Sequence, residues 1–318
     1  MLAIGIDLGG TTIKGALAHR EKGLLDQLSI DTEADKGLQH TLGRIAETIK
    51  LTAKRAGGAD IAGVGIGAPG VISFDRKSVS NPPNLTGWTQ VHLAREITER
   101  TGYPALLEND ANLMALGSAR YGIGKNYNSF IMLTLGTGVG GGIIYNNELF
   151  RGTTGGAGEL GHVIIDYNGP ESNSVTRGGI EAYLGQRFLS HHAAVILREH
   201  PENDLYKQFS GDFSTLEPVH LSQAARNGNE LASSILGWAG KKLGYAIVNY
   251  IHILDIRTVI LSGGVARAGS LLIEPAKKAA LSRLMPPFHP GFNIIYEDLG
   301  NDAAMLGAAS LAFDGFDN

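Results

Sequence analysis

Apolar residues fall in two kinds of run along the chain, and the two kinds alternate. Short continuous runs of the buried-strand type occur at residues 63–67, 105–108, 257–262 and 292–296. Longer runs with helical spacing occur near residues 36–56, 88–101, 111–121, 180–199, 220–254, 267–284 and 302–313. Strands that alternate with helices predict an α/β protein with partly parallel sheets.

Two segments of the chain repeat one pattern. Residues 4–15 read IGIDLGGTTIKG, and residues 131–142 read IMLTLGTGVGGG. Each is an apolar strand, then a turn of glycine and hydroxyl residues, then a second strand, with Gly9 aligned to Gly136. The repeat predicts two related domains that each open with the same β-hairpin. A polar, glycine-containing link follows residue 121, so we expect α/β domains at about 1–121 and 122–301.

Composition limits the class of protein. The chain has 318 residues, of which 43% are hydrophobic and 18% charged, and it can therefore bury substantial cores. A net charge of −4 gives no general positive field for nucleic acid or an anionic membrane. No stretch reaches 18 uninterrupted apolar residues, and the N-terminus leads straight into a strand-like run. We expect a cytoplasmic protein with neither nucleic-acid nor membrane partners.

Two residue counts are unusual. Cysteine is absent, which excludes disulfides and thiolate metal sites. Glycine accounts for 44 of the 318 residues, about twice the usual share of ~7%. The glycines cluster at the ends of predicted strands, where the missing Cβ lets the backbone approach a ligand closely.

Three glycine segments suit the phosphates of a nucleotide. They are Asp7-Leu8-Gly9-Gly10-Thr11-Thr12 with Lys14 beyond it, Gly136-Thr137-Gly138-Val139-Gly140-Gly141-Gly142, and Ser262-Gly263-Gly264-Val265. Backbone N–H groups in such turns can surround an anion, and the hydroxyls add donors. Asp7 could hold Mg²⁺ through water.

Simpler explanations exist for two of these segments. A tight hairpin explains the first about as well, and helix–strand packing explains the third. The second segment is harder to explain as a mere turn, because ordering five glycines in seven residues carries a large entropic cost. Neither a P-loop nor a Rossmann GxGxxG unit with its acidic partner is present.

Asp110 is the candidate general base. It follows a short predicted strand in Glu108-Asn109-Asp110-Ala111-Asn112 and starts a predicted helix. A carboxylate here can accept the proton of a sugar hydroxyl as that oxygen attacks a γ-phosphate. Aspartate also caps helices, so the N-cap of the helix is an alternative role.

Further polar groups cluster between residues 153 and 181. Glu159 and His162 are three residues apart beside glycines, and Glu181 begins a predicted helix. Carboxylates with an imidazole can grip vicinal hydroxyls through charge-assisted hydrogen bonds. Asn84 and Gly70 lie in loops, where Asn84 can read a hydroxyl, although both also fit ordinary turn chemistry.

Taken in order, these segments resemble the ROK (repressor, open reading frame, kinase) family. The matching motifs are DLGGTTIKGAL, GIGAPGVI, PPNLTGW, ENDANLMALG, LGTGVGGGII, GGAGELGH and SGGVA, which cover nearly the whole chain. The resemblance implies the duplicated actin/hexokinase/Hsp70-like (ribonuclease H-like) fold, with a central cleft for the hexose. It also implies that the last helix, about 302–318, returns to the N-terminal domain.

The resemblance assigns roles to individual residues. Asp110 matches the catalytic base. The matched sugar-binding positions are Gly70, Asn84, Asn109, Glu159, His162 and Glu181. The matched nucleotide positions are Asp7, Gly9, Gly10, Thr11, Thr12 and Lys14 in the first phosphate motif, Gly136, Thr137 and Gly138 in the second, and Gly263 and Gly264 in the adenosine motif.

The function that the resemblance implies is phosphorylation of a hexose at its 6-hydroxyl by ATP with Mg²⁺. Glucose is the first choice by family frequency, and N-acetylmannosamine and fructose are the alternatives. A sugar-responsive repressor would carry an N-terminal DNA-binding domain, whereas here the phosphate hairpin begins at residue 4. A silent sugar-binding protein is opposed by the intact Asp110 and phosphate turns. Dimers are frequent in the family, so a homodimer is expected.

The chain departs from the family pattern at the zinc site. Family members bind zinc through a histidine and the three cysteines of CxCGxxGCxE. The spacing from His162 to Glu181 is kept, but Ser172, Ser174 and Gly179 occupy the cysteine positions. We therefore expect no structural zinc. The loop 163–180 would then be held by Ile164 and Ile165 as buried anchors, by Pro170 as a rigid turn, or by polar contacts of Glu171 or Arg177.

Overall fold

Strands and helices alternate along the chain, as the apolar pattern predicts. The computed structural model describes residues 1–174, 176–300 and 302–316. The strands are β1 (Leu2–Leu8), β2 (Thr12–His19), β3 (Gly23–Asp31), β4 (Ile61–Ala68), β5 (Val71–Ile72), β6 (Val79–Ser80), β7 (Gln90–Val91), β8 (Ala105–Asn109), β9 (Phe130–Leu135), β10 (Val139–Tyr145), β11 (Glu148–Leu149), β12 (Thr258–Ser262) and β13 (Asn293–Tyr296). The α-helices are α1 (Leu38–Lys54), α2 (Leu93–Thr101), α3 (Asp110–Tyr121), α4 (Glu181–Leu184), α5 (Gln186–Arg198), α6 (Asp204–Phe209), α7 (Pro218–Arg226), α8 (Glu230–Leu254), α9 (Ser270–Leu281) and α10 (Asp302–Phe316).

Two five-stranded sheets have the same strand order. One is ordered β3-β2-β1-β4-β8 and the other β11-β10-β9-β12-β13, and β5, β6 and β7 form a small third sheet. In the first sheet β1 is antiparallel to β2 and parallel to β4, which is parallel to β8. In the second sheet β9 is parallel to β12, and β12 is parallel to β13. The predicted duplication of an α/β architecture that opens with a hairpin is therefore confirmed.

The chain divides into two compact units. The first comprises Met1–Asn128, Gly142–Gly158 and Asp298–Asn318, and the second Ser129–Gly141 and Glu159–Glu297. Residues 142–158 lie with the first unit because Gly142 packs on α3 and Arg151 pairs with Glu108 of β8.

Helices cover both faces of the sheet in the first unit. Ile4 and Ile6 of β1 lie in one apolar core together with residues of α1 and α2. Ala3 lies in another core with α10, because successive residues of a strand point to opposite faces. α3 packs against α10 in a further small core.

The backbone of α10 lies directly on the sheet at two glycines. A Cβ on Gly5 of β1 would overlap the carbonyl of Met305, and a Cβ on Gly65 of β4 would overlap the carbonyl of Ala308. Neither overlap can be relieved by turning a side chain, because backbone atoms are involved on the α10 side. The strands must therefore have glycine at these points for the helix to dock.

The longest helix of the second unit is α8, which packs along α9 and buries Leu243 and Ile247. The single helix predicted over 220–254 is wrong: α7 ends at Arg226 and α8 begins at Glu230. Asn229 caps α8 by accepting the N–H of Ala232, and Gly228 has a φ of 91°, which ends the preceding helical path.

No helix among the described residues has the length and apolarity to cross a membrane.

We expect Gly65→Ala to lower the free energy of unfolding by about 1–3 kcal/mol, the usual effect of overpacking a core. Gly43→Ala is the matched control, because Gly43 lies on the exposed side of α1 and a Cβ there would meet no atom within 4 Å. There the change should leave stability unchanged or raise it by up to about 1 kcal/mol. Urea unfolding of both variants measures the difference, and equal stabilities would contradict the close docking of α10.

Candidate active site

The first glycine turn, between β1 and β2, is held by a threonine that sequence reasoning missed. The N–H of Gly9 donates to the carbonyl of Thr12 at 3.0 Å and closes the turn. The fully buried Thr32 donates its hydroxyl to the carbonyl of Gly9 at 2.7 Å. Its backbone N–H donates to the carbonyl of Thr11 at 2.8 Å. Thr32 follows β3, which the apolar pattern did not predict, so the sequence offered no signal for this contact.

Asp7 and Lys14 face each other at the base of this turn. They are paired in the register of β1 and β2, and Nζ of Lys14 lies 3.6 Å from Oδ2 of Asp7. Burial raises the pKa of Asp7, and the charge of Lys14 offsets part of that rise. A half-buried carboxylate beside the backbone of a glycine turn is an oxygen donor suited to a hard cation such as Mg²⁺.

Asn84 lies against this turn. A Cβ on Gly10 would come within 2.8 Å of the Cβ of Asn84, so only glycine leaves room for the asparagine. Asn84 has a left-handed backbone, with φ of 65°, a conformation that asparagine tolerates better than most residues. Gly70 packs against the segment that leads to Asn84, since a Cβ on Gly70 would lie 2.9 Å from the carbonyl of Ser80 and the Cα of Pro82.

Asn109, not Asp110, caps α3. The side-chain oxygen of Asn109 accepts the N–H groups of Ala111 at 2.9 Å and Asn112 at 3.3 Å. Its amide nitrogen donates to the carbonyl of Gly70 at 3.4 Å. Asp110 is the first helical residue and is exposed, and its carboxylate also accepts the N–H of Ala111 at 2.9 Å. The alternative that Asp110 is the N-cap is therefore wrong.

In the second unit, the second glycine turn rests on the segment that starts α4 and α5. The carboxylate of Glu181 accepts the N–H of Val139 at 3.2 Å, and the N–H of Gln186 donates to the carbonyl of Gly136 at 2.9 Å. A Cβ on Gly138 would overlap the Glu181 carboxylate. The glycine at this position therefore allows a buried carboxylate to touch the turn.

The third glycine segment lies beside the second. Gly263 follows β12 with φ of 93°, and a Cβ there would overlap the backbone of Leu135, the last residue of β9. Gly264 precedes a 3₁₀ turn, Val265–Ala268, before α9 begins at Ser270. The hydroxyl of Ser262 is buried at the same strand end and has no hydrogen-bond partner among the described residues.

A cavity of about 620 Å³ adjoins the second turn at Thr137. Its walls carry both charged and apolar side chains and come from α5 and the segment before α7. The lining residues are Thr137, Gln186, Arg187, Ser190, His191, Ala194, Arg198, Gly211, Asp212, Phe213, Ser214, Thr215, Leu216 and Glu217. Apart from Thr137, the sequence analysis singled out none of them, because they form no compact motif.

His162 is held by hydroxyl groups. Its Nδ1 lies 3.2 Å from Oγ of Ser174, which lies 2.8 Å from Oγ of Ser172. Its Nε2 lies 3.6 Å from the carboxylate of Glu159. The side chains of His162 and Glu159 are 34% and 60% exposed, so both can reach a ligand.

The predicted site residues fall into two sets. The first unit holds Asp7, Gly9, Gly10, Thr11, Thr12, Lys14, Gly70, Asn84, Asn109 and Asp110. The second holds Gly136, Thr137, Gly138, Glu159, His162, Glu181, Gly263 and Gly264. Within the first unit, Asn84 lies against Gly10 of the turn, and Asn109 donates to the carbonyl of Gly70.

The sequence model of the ROK family matches residues 3–314. The chain belongs to the ROK family. It is 36% identical over 308 residues to a glucokinase of Thermotoga maritima, covering 97% of this chain and 96% of that protein. It is 28% identical over 319 residues to the xylose repressor of Bacillus subtilis, covering 99% of this chain and 77% of that one. The structure of a ROK family glucokinase from Streptomyces griseus, in complex with glucose and AMPPNP, superposes with a TM-score of 0.84 at 31% identity and covers 99% of this chain and all of that one.

The residues at the ROK zinc position do not suit zinc. Structural zinc takes four ligands, most often thiolates and imidazoles. Here His162 has serine hydroxyls for neighbours, which stay protonated near neutral pH, and Gly179 has no side chain. Within the described parts of the chain, no group of three or more His, Asp or Glu side chains could hold a metal ion.

Backbone pairing closes the loop that follows His162. Ile164 bridges to Gly179 and Glu171 to Arg177, in antiparallel fashion. The N–H of Ile165 donates to the carbonyl of Gly178 at 3.0 Å. The expectation that Ile164 and Ile165 are buried anchors is wrong, since Ile164 is 53% exposed and Ile165 is only partly buried.

Side chains add to this pairing. Arg177 pairs with Glu171 at 2.7 Å, as the sequence suggested, although both are exposed and such a pair contributes little. Tyr183 donates its hydroxyl to the carboxylate of Asp166 at 3.2 Å. Burial and the charge of Asp166 raise the pKa of Tyr183 to about 12, so the phenol stays a donor over the physiological range.

We expect the purified protein to contain no stoichiometric zinc. A chelator should leave its melting temperature unchanged in the absence of nucleotide, because hydrogen bonds and not metal bonds order residues 163–180. Elemental analysis and thermal unfolding with and without chelator measure this. One tightly bound zinc per chain would overturn the prediction.

Proposed function

We propose that the protein transfers the γ-phosphoryl group of ATP to the 6-hydroxyl of glucose. The observation that carries the proposal is the start of α3, where Asn109 satisfies the helix N-terminus and leaves an exposed carboxylate, Asp110, beside it. The full-length similarity to glucokinases supports ATP and glucose as the substrates.

Asp110 acts as the general base. Its carboxylate takes the proton from the sugar hydroxyl as that oxygen forms a bond to the γ-phosphorus, and the bond to the ADP oxygen breaks. Because Asn109 provides the cap, the negative charge of Asp110 is not required to complete the helix.

Sugar hydroxyls are bound by side chains already fixed by the fold. In the first unit these are Asn84 and Asn109, with the backbone at Gly70. In the second unit we assign Glu159, His162 and Glu181 to the same role. Because Nδ1 of His162 is engaged by Ser174, Nε2 is the nitrogen that faces a hydroxyl.

Phosphate groups are bound by the glycine turns. In the turn Gly9–Thr12 we assign to them the N–H groups of Gly10 and Thr11, the threonine hydroxyls and the ammonium of Lys14, while the N–H of Gly9 closes the turn. In the second unit Thr137 and Gly138 do the same in a turn that the N–H of Gly136 closes. We assign the cavity beside Thr137, with Gly263 and Gly264, to the nucleoside. Asp7 would hold Mg²⁺, which neutralises charge on the transferring phosphoryl group.

The choice of glucose is tested by a screen of sugars. ADP release is measured with glucose, mannose, fructose, N-acetylglucosamine and N-acetylmannosamine, and ATP without sugar is the control. We expect the highest kcat/KM with glucose. A higher value with N-acetylmannosamine or fructose would reassign the substrate, and no release above the control with any sugar would overturn the proposal. The cytoplasmic location and the homodimer stay predictions.

Asp110→Asn should lower kcat by about 10²–10⁴, the usual effect of losing a general base, with the melting temperature nearly unchanged. Asp204→Asn is a matched control, because Asp204 is likewise the first residue of a helix, α6, behind a capping asparagine, Asn203. The control should keep normal kcat. Steady-state kinetics of both variants decide the assignment, and a normal kcat for Asp110→Asn would remove Asp110 from its role.

A further inference from the structure

A carboxylate is fully buried next to the proposed base. Glu108 is the penultimate residue of β8, directly before Asn109, and its side chain is 0% exposed. A buried charge is unfavourable unless it is paired and hydrogen-bonded, so its partners show what it does for the fold.

One oxygen of Glu108 holds the start of α3. Oε1 accepts the backbone N–H of Asn109 at 3.0 Å and the side-chain amide of Asn112 at 3.1 Å. Asn112 is itself buried in the first turn of α3. The carboxylate therefore fixes both sides of Asp110, at the residue before it and at the residue two positions after it.

The other oxygen of Glu108 holds two arginines from distant segments. Oε2 accepts a hydrogen bond from Nε of Arg76 at 3.2 Å. Nε of Arg151 lies 2.6 Å from the same oxygen, but its N–H is not aligned for a hydrogen bond, so the contact is an ion pair. Arg151 donates instead to the carbonyls of Phe74 and Ser73, at 2.5 and 3.0 Å.

The arginines fix the segment that follows Gly70. Arg76 has a left-handed backbone with φ of 60°, uncommon for a residue other than glycine, and its carbonyl accepts the N–H of Leu107 at 2.9 Å. Arg151 clamps the backbone of Ser73 and Phe74 and lies over the ring of Phe74 at 5.4 Å. Residues 73–76 are thus tied to β8 by the carboxylate of Glu108 and by the backbone hydrogen bond from Leu107.

Charge makes this arrangement depend on Glu108. Two guanidinium groups share a single carboxylate, and burial lowers the pKa of Arg76 while the charge of Glu108 raises it. Without that carboxylate, two like charges would face each other with little water to screen them. The segments that carry Arg76 and Arg151 would then move apart.

We propose that Glu108 is a positioning residue that sets the affinity for sugar. It acts through Asn109, whose amide bonds Gly70, and through the segment 73–76 that follows Gly70. The inference rests on the proposed function, because Asn109 and Gly70 are there assigned to the sugar. Glu108 touches neither substrate in this scheme. A purely structural role for Glu108 would change stability and leave the KM for glucose as it is.

Glu108→Gln tests the proposal, because the amide keeps the size of the side chain and an acceptor for Asn109 but removes the charge. We expect the KM for glucose to rise about tenfold or more, as small misplacements of binding groups do. The KM for ATP should stay within about twofold and kcat should fall less than the KM rises. A folded variant with an unchanged KM for glucose would overturn the inference.

Arg76→Gln decides the matter if Glu108→Gln does not fold. The side chain of Arg76 is 29% exposed, and its loss leaves Glu108 balanced by Arg151 alone. We expect a rise of about threefold in the KM for glucose, and an unchanged KM would again overturn the inference. Where both variants fold, the KM for glucose of the double variant should rise by less than the product of the two single-variant factors, since the groups act as one network.

Glu99→Gln is the matched control. Glu99 pairs with Arg95 on the exposed surface of α2, in the same unit. The substitution removes the same carboxylate charge as Glu108→Gln, but at a position away from the residues assigned to the sugar. Its kinetic constants should equal those of the unmodified protein. If the unmodified protein fails to phosphorylate glucose, the proposed function falls and this inference falls with it. If it is active and the Glu108 and Arg76 variants match the control, only the inference falls.

Discussion

The fold and the candidate site both depend on glycines that have no Cβ at points of close contact. At these glycines another backbone segment or a side chain packs directly against the main chain. α10 docks on the first sheet only because Gly65 presents no Cβ to the carbonyl of Ala308. The same principle brings Asn84 onto Gly10 and the carboxylate of Glu181 onto Gly138. Ordering a glycine costs more conformational entropy than ordering other residues, and glycines occur here where helices, turns and polar side chains approach most closely.

The start of α3 separates the capping residue from the exposed carboxylate that follows it. Asn109 satisfies the helix N-terminus, so Asp110 carries its charge without being needed as a cap. The same pair of residue types opens α6, where Asp204 only pairs with Lys207 on the surface. An aspartate at this helical position is therefore no sign of catalysis by itself. The two capping asparagines differ in their partners: Asn109 donates its side-chain amide to the carbonyl of Gly70 and its backbone N–H to the buried carboxylate of Glu108.

Hydroxyl groups hold the histidine in this ROK protein. Ser172 and Ser174 form a chain of hydroxyls that reaches Nδ1 of His162. Antiparallel bridges close the loop, and the exposed ion pair of Arg177 adds little. Several weak directional contacts thus order the loop, and the imidazole presents its other nitrogen.

Features that depend on neighbouring residues could be predicted from the sequence. The alternation of apolar runs predicted most strands and helices, the repeated hairpin predicted the duplication, and the glycine and carboxylate motifs marked the candidate site. The residue that caps α3 could be identified only in the folded chain, since Asn109 and Asp110 are both good capping residues and hydrogen-bond geometry distinguishes them. The folded chain also revealed the partners of Glu108, because Arg76 and Arg151 lie far away in the chain and follow no periodic pattern. The spacing of apolar residues predicts which side chains face a core, whereas an ion pair between distant segments exists only once the chain has folded.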